Sequence, residues 1–168
     1  MKKLIFFFTI LISATIPLVQ VLGKDILEIK ESDFFIGEKN APITIIEYAS
    51  LSCGHCADFH NNTLEKLKSE YVDTGKIKIV FRDFPFNYPA LLGSMVLKCI
   101  SSNIRYDYMN ALFKLQSSWV NKENAKTTKE LFKIMQSGGM KKDEFDTCIY
   151  NVDLENEILQ GVIAAQEA

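Results

Sequence analysis

The sequence predicts an α/β fold, a parallel βαβ unit followed by a run of helices, and three observations predict it. Residues 43–48, Ile-Thr-Ile-Ile-Glu-Tyr, are rich in β-branched side chains, as a buried strand is. From about Cys53 the spacing becomes helical, with Phe59, Leu64 and Leu67 on one side and charges on the other. Residues 77–81, Ile-Lys-Ile-Val-Phe, then read as the next strand.

The remaining elements follow in order. Residues 26–29 form a short apolar stretch that reads as a first strand, and the turn formers at 37–42 make a loop. A short polar connection, 49–52, leads from the strand into the helix. Asp73-Thr74-Gly75 ends that helix, with glycine as the stop. After the second strand of the unit, Phe84-Pro85 and Tyr88-Pro89 mark an extended connection. Helical patterns come next at about 90–100, 106–119, 128–136, 141–149 and 154–168. The last has no glycine cap and no turn after it, so the expectation is a chain that stops inside a larger structure.

The beginning of the chain reads differently. Lys2 and Lys3 precede an apolar run from Leu4 to Leu22, and Val21-Leu22-Gly23 offers a cut site after Gly23. This is the pattern of a secretory signal peptide, residues 1–23. The competing reading is an uncleaved anchor, although Pro17 and Gln20 interrupt the run. A lipoprotein signal is excluded, because no cysteine lies near the cut. Loss of Lys2 and Lys3 takes the formal charge from −2 to −4, and no basic stripe exists, so nucleic acid is not an expected partner. All four cysteines lie beyond the leader, in a chain destined for an oxidising compartment where disulfides persist.

Cys53-Gly54-His55-Cys56 stands where the strand gives way to the helix. A helix start carries unpaired N–H groups and the positive end of the macrodipole, so a thiolate at Cys53 is stabilised there. Cys56, one turn on, is placed to attack a mixed disulfide at Cys53 and release the partner. His55, through its imidazole or the neighbouring N–H groups, favours the thiolate further and makes the disulfide a stronger oxidant. Gly54 is expected to let the backbone turn tightly into the helix. The bland alternative is a structural clip or a chance pair. A zinc site would use Cys53, Cys56 and His60 but lacks a fourth ligand nearby. Covalent haem attachment fails because Ala57, not histidine, follows Cys56. No cofactor or metal is therefore expected.

The stretch Glu47-Tyr48-Ala49-Ser50-Leu51-Ser52-Cys53-Gly54-His55-Cys56-Ala57-Asp58-Phe59 resembles the active-site region of the DsbA family, periplasmic thiol–disulfide oxidoreductases of the thioredoxin superfamily. Phe81-Arg82-Asp83-Phe84-Pro85 resembles the segment after the active-site helix in DsbA-like proteins of α-proteobacterial type. DsbA proteins are the standing example of a low-pKa cysteine, so that expectation arrives with the resemblance. The family implies a thioredoxin-like fold with an inserted helical domain: 24–88 as the first part of the thioredoxin-like domain, 89–153 as the insertion, and 154–168 as the start of a returning helix. It implies Cys53 as the attacking thiol, Cys56 as the resolving thiol, His55 as the residue tuning the potential, and Glu47 as a buried acid assisting proton transfer at Cys56. Glu47 as an ordinary charged residue at a strand end is the alternative. The family's cis-proline, its C-terminal β-hairpin and its final helix find no match here. The expectation is accordingly a C-terminally truncated chain, with an unpaired edge on the 43–48 strand.

Some relatives of this type carry a second cysteine pair in the helical domain. The resemblance thus supports a structural disulfide between Cys99 and Cys148, worth about 4 kcal/mol in the chain-entropy account. Two separate buried thiols are the alternative, and the sequence leaves the connectivity open. His60 is expected on the helix surface, and Trp119, Tyr106, Tyr108 and Phe113 in the core or at a domain interface. Phe84, Phe86, Tyr88 and Leu91 line either an apolar groove or the core. Lys141-Lys142-Asp143-Glu144 reads as a solvated helix start.

Three functions compete. The first is a periplasmic oxidase that accepts electrons from reduced or unfolded exported proteins and is re-oxidised by a DsbB-like membrane oxidase, working as a monomer. The second uses the same centre as a reductase or isomerase. The third is a non-catalytic peptide-binding module whose cysteines form a closed clip.

Overall fold

The computed structural model describes residues 26–167. A three-stranded sheet is built from β1 (Phe34–Ile36), β2 (Ile43–Ala49) and β3 (Ile77–Asp83), in the order β1-β3-β2. β2 runs parallel to β3, from Ile43 opposite Ile77 to Ala49 opposite Asp83, while β1 is antiparallel to β3. The crossover between β2 and β3 is helix α1, residues 54–72, which contains π-helical turns at His60–Leu64 and Lys68–Val72. Leu64 of α1 is fully buried against Val72, Ile77 and Ile79, with Phe59 and Leu67 packed beside them. This is the βαβ unit expected from the periodicity.

Six helices follow: α2 (Tyr88–Cys99), α3 (Ser102–Lys114), α4 (Gln116–Trp119), α5 (Asn124–Ser137), α6 (Lys142–Ile149) and α7 (Val152–Gln166). The 106–119 pattern, expected as one helix, is broken at Leu115. Beyond the break the indole of Trp119, fully buried, donates to the carbonyl of Leu112 at 2.9 Å. Trp119, Phe113, Leu131, Met135 and Phe145 form a core that also takes in Leu51 and Ala57 beside the cysteine pair. The helical part and the loop entering α1 therefore share one apolar core. Gly93 on α2 is required by that packing. A Cβ there would stand 2.8 Å from the Leu51 side chain and 3.1 Å from Trp119.

The expected first strand changes. The first strand is Phe34–Ile36, and residues 26–29 are not a strand. The reason lies in Arg82 on β3. Its guanidinium donates to the carbonyls of Ile26 at 2.5 Å and Glu28 at 2.6 Å, and the Tyr48 hydroxyl also donates to Ile26. Acceptors a sheet would have used are taken by side chains. Asp33 completes the clamp, its carboxylate 2.6 Å from the Arg82 guanidinium. Among the described residues β2 pairs with β3 alone, which leaves Ile43 and Ile45 substantially exposed along its open edge. The leader assigned to residues 1–23 lies outside the described residues.

Candidate active site

β2 delivers the chain to the cysteine pair. After Ala49 the backbone turns, the N–H of Cys53 donating to the carbonyl of Ser50 at 3.0 Å. Cys53 is the N-cap of α1, with extended backbone (φ −82°, ψ 120°), and its carbonyl accepts from the N–H of Ala57. No side chain caps this helix start, so the first N–H groups point at the Cys53 sulfur. Two contacts fix the loop from outside. The Gln116 side-chain amide donates to the carbonyls of Leu51 and Cys53, each at 2.9 Å. Ser52 donates to the Asn87 side chain at 2.9 Å, which also caps α2 by accepting from the N–H of Ala90.

The two thiols are unequal. The backbone N–H of Cys56 holds the Cys53 thiol below its ordinary range. The Cys56 thiol and the N–H of His55 add to that effect, while partial burial and the Asp58 carboxylate oppose it. Burial pushes the Cys56 thiol up, and the neighbouring Cys53 and the Glu47 carboxylate push it further, against an opposing backbone contact at Ser50. An attacking thiol that ionises readily beside a resolving thiol that holds its proton is the asymmetry a dithiol exchange centre needs. His55 contributes through its N–H, and the residue itself is exposed. Gly54 is corrected. Its φ is not positive and no atom stands within 4 Å of where a Cβ would be, so the turn does not require glycine. It leaves open space beside the thiols.

Glu47 lies on β2 behind the pair, with its side chain 15 % exposed. Its partner is His60, corrected here from a surface position to a buried one, 4 % exposed. The Nε2 of His60 lies 3.1 and 3.2 Å from the two carboxylate oxygens of Glu47. Its Nδ1 faces Asn110 Oδ1 at 3.4 Å, and its ring stacks on Phe113 with centroids 3.9 Å apart. Both ring nitrogens are thus turned to side-chain oxygens, of Glu47 on one side and Asn110 on the other. A helical position between Phe59 and Asn61 carried no sign of this. Only the packing of α1 on β2 and α3 reveals it.

Cys99 on α2 and Cys148 on α6 are joined in a disulfide with Cα atoms 6.2 Å apart. Phe84 packs edge-on against Tyr48, whereas Phe86 and Tyr88 are exposed.

Residues 30–168 match the family described as thioredoxin. A protein of Rickettsia bellii named as a protein-disulfide oxidoreductase is 32 % identical over 123 residues, 73 % of this chain and 47 % of the relative. A second, from Rickettsia typhi, is 31 % identical over 142 residues, 83 % of this chain and 51 % of that protein. The chain thus spans about half the length of the curated relatives it matches. The crystal structure of Wolbachia pipientis alpha-DsbA1 superposes with a TM-score of 0.77 at 34 % identity, covering 83 % of this chain and 70 % of that one. Oxidised BdbD from Bacillus subtilis, 17 % identical, shares the fold at a TM-score of 0.71, over 81 % of this chain and 75 % of its own.

Proposed function

Since the chain belongs to the thioredoxin family, on its DsbA-like branch, we propose that it is a protein thiol–disulfide oxidoreductase that introduces disulfides into exported proteins through Cys53 and Cys56. The observation that carries this reading is the position of Cys53 as N-cap of α1, its thiol eased toward the thiolate by the N–H groups of Cys56 and His55. In the oxidised state a client thiolate attacks the Cys53 sulfur, and Cys56 leaves and takes a proton. A second client thiolate then attacks the client sulfur of the mixed disulfide, closing the client disulfide and releasing Cys53 as a thiolate. Two electrons pass from the client to the centre. The exposed Phe86 and Tyr88 give unfolded clients an apolar surface to meet.

The working place of such a centre is the periplasm, reached by the leader at 1–23, with the protein acting as a monomer and a DsbB-like membrane oxidase restoring the disulfide. The leader pattern, the oxidising compartment that cysteine pairs require and the family membership support this setting. The direction of exchange is tested by equilibrating the protein in glutathione buffers and measuring the fraction oxidised. An oxidase is expected above about −180 mV; DsbA proteins, at about −120 mV, supply the reference. A potential near about −270 mV would replace the oxidase with a reductase. Failure to form any mixed disulfide at Cys53 would leave a non-catalytic module.

A further inference from the structure

Resolution of a mixed disulfide requires Cys56 to give up its proton, and the half-buried Cys56 thiol sits among groups that hold the proton on. A proton leaving toward Glu47 stops there unless something carries it on. Among the described residues the side chain that hydrogen-bonds Glu47 is His60, through Nε2 and both carboxylate oxygens. On its other side His60 lines a pocket of about 370 Å³ with Asn61, Glu65, Asn110, Ala111 and Lys114. That pocket lies between α1 and α3. The imidazole therefore joins the acid behind Cys56 to a solvent-facing opening, through two ring nitrogens that can each hold a proton.

We propose that His60 is a positioning and proton-relay residue, orienting the Glu47 carboxylate and passing the Cys56 proton between Glu47 and the pocket lined by Glu65, Asn110 and Lys114. The inference rests on the exchange function proposed above and adds a route to it. With oxidised glutathione as oxidant the balance is as follows. The Cys53 thiolate attacks one glutathione sulfur, forming a Cys53–glutathione disulfide and releasing one glutathione thiolate. Cys56 then passes its proton to Glu47 and on to His60, its sulfur attacks Cys53, and the second glutathione leaves as a thiolate. The two cysteines lose two electrons and the glutathione disulfide gains them. The proton reaches bulk water through the pocket. When the centre oxidises a client, the same route returns a proton to Cys56.

The charged and titratable groups that bear on this route are Glu47 from β2, Glu65 and Cys56 from α1, and Lys114 and Tyr106 from α3, the Tyr106 hydroxyl donating to Glu65 at 3.3 Å; Phe113 and Phe81 supply the apolar walls. The imidazole is the member that a glutamine replaces without adding charge. His60→Gln keeps a donor toward Glu47 and removes the imidazole with its two ring nitrogens.

The test is stopped-flow and quench mass spectrometry of the reduced protein with oxidised glutathione, following formation and decay of the Cys53 adduct from pH 5 to 9. His60→Gln is expected to form the adduct at the wild-type rate and to resolve it about ten-fold more slowly or worse, with a flattened pH profile. A histidine that merely fills space would shift stability and leave the profile of the resolution step unmoved. Resolution at the wild-type rate and with the wild-type profile overturns the proposal. A second measurement uses the native chain, in case the variant fails to fold. The ¹⁵N resonances of the His60 ring are compared between the reduced and oxidised centre. A shift on changing the redox state is expected, and identical resonances in both states overturn the relay. Absence of any Cys53 adduct in the wild-type protein is a different result. It removes the exchange function, and the relay falls with it.

Discussion

The side-chain amide of Gln116 stands 2.9 Å from the carbonyl oxygen of Cys53, and at the same distance from that of Leu51. One residue of the helical part thus holds both ends of the loop that presents the attacking thiol. Gln116→Ala removes both bonds at once. A loss of about 1–3 kcal/mol in stability is expected, at roughly 1 kcal/mol per hydrogen bond. The Cys53 thiol should also ionise less readily as the helix start loosens. Chemical unfolding and a thiolate titration of the same variant check the two parts.

The clamp around Arg82 yields a second expectation. Burial alone would raise the Asp33 carboxyl, yet hydrogen bonds from Arg82 and the Lys30 N–H leave it below its ordinary value. A carboxyl depressed in the folded state stabilises the protein above its unfolded pKa of about 3.9, and that contribution is lost as pH falls through the folded value. Arg82→Ala should cost about 2–4 kcal/mol, at the lower edge of the figure for breaking a buried pair because the site is partly solvated. It should also flatten the acid limb of stability below about pH 4, and limited proteolysis should cut first within residues 26–33.

Closing a loop of 49 residues, the Cys99–Cys148 disulfide ties α2 to α6. Replacement of both cysteines by alanine should lower stability by about 4 kcal/mol in the chain-entropy account. Thiolate titration of Cys53 in that variant should be unchanged, because the pair lies on helices away from the exchange centre.

Gly93→Ala presses a methyl group against Leu51 and Trp119. Overpacking of this kind costs about 1–3 kcal/mol. Since Leu51 precedes the cysteine pair by two residues, the expected readout is a lowered unfolding temperature together with a changed near-ultraviolet signal from Trp119.

Much of this was legible in the sequence where local chemistry decides the outcome. The β-branched run at 43–48, the helix from Cys53 and the cysteine spacing each carry their own reason, and the later helices fall within about four residues of their patterns, apart from the break at Leu115. What was hidden depends on partners far along the chain. Residues 26–29 look like a strand until Arg82, more than fifty residues on, takes their carbonyls. His60 looks like a surface residue until α1 lies on β2 and α3, which brings Glu47 and Asn110 to its two ring nitrogens. Gln116 has no local signature at all, because its two acceptors lie 63 and 65 residues away.

The thiolate titration of Cys53 in the reduced protein, read at the absorbance of the thiolate with Cys53→Ser as the blank, tests the central claim most directly. A value clearly below that of the ordinary thiol, at about 8.5, is expected, because the N–H groups of Cys56 and His55 favour the thiolate. Because the folded value is the lower one, the reduced protein should gain stability from this group as pH rises between the two values, and lose that gain as pH falls. A titration near about 8.5, with no change in stability across that window, would contradict an activated exchange centre at the start of α1.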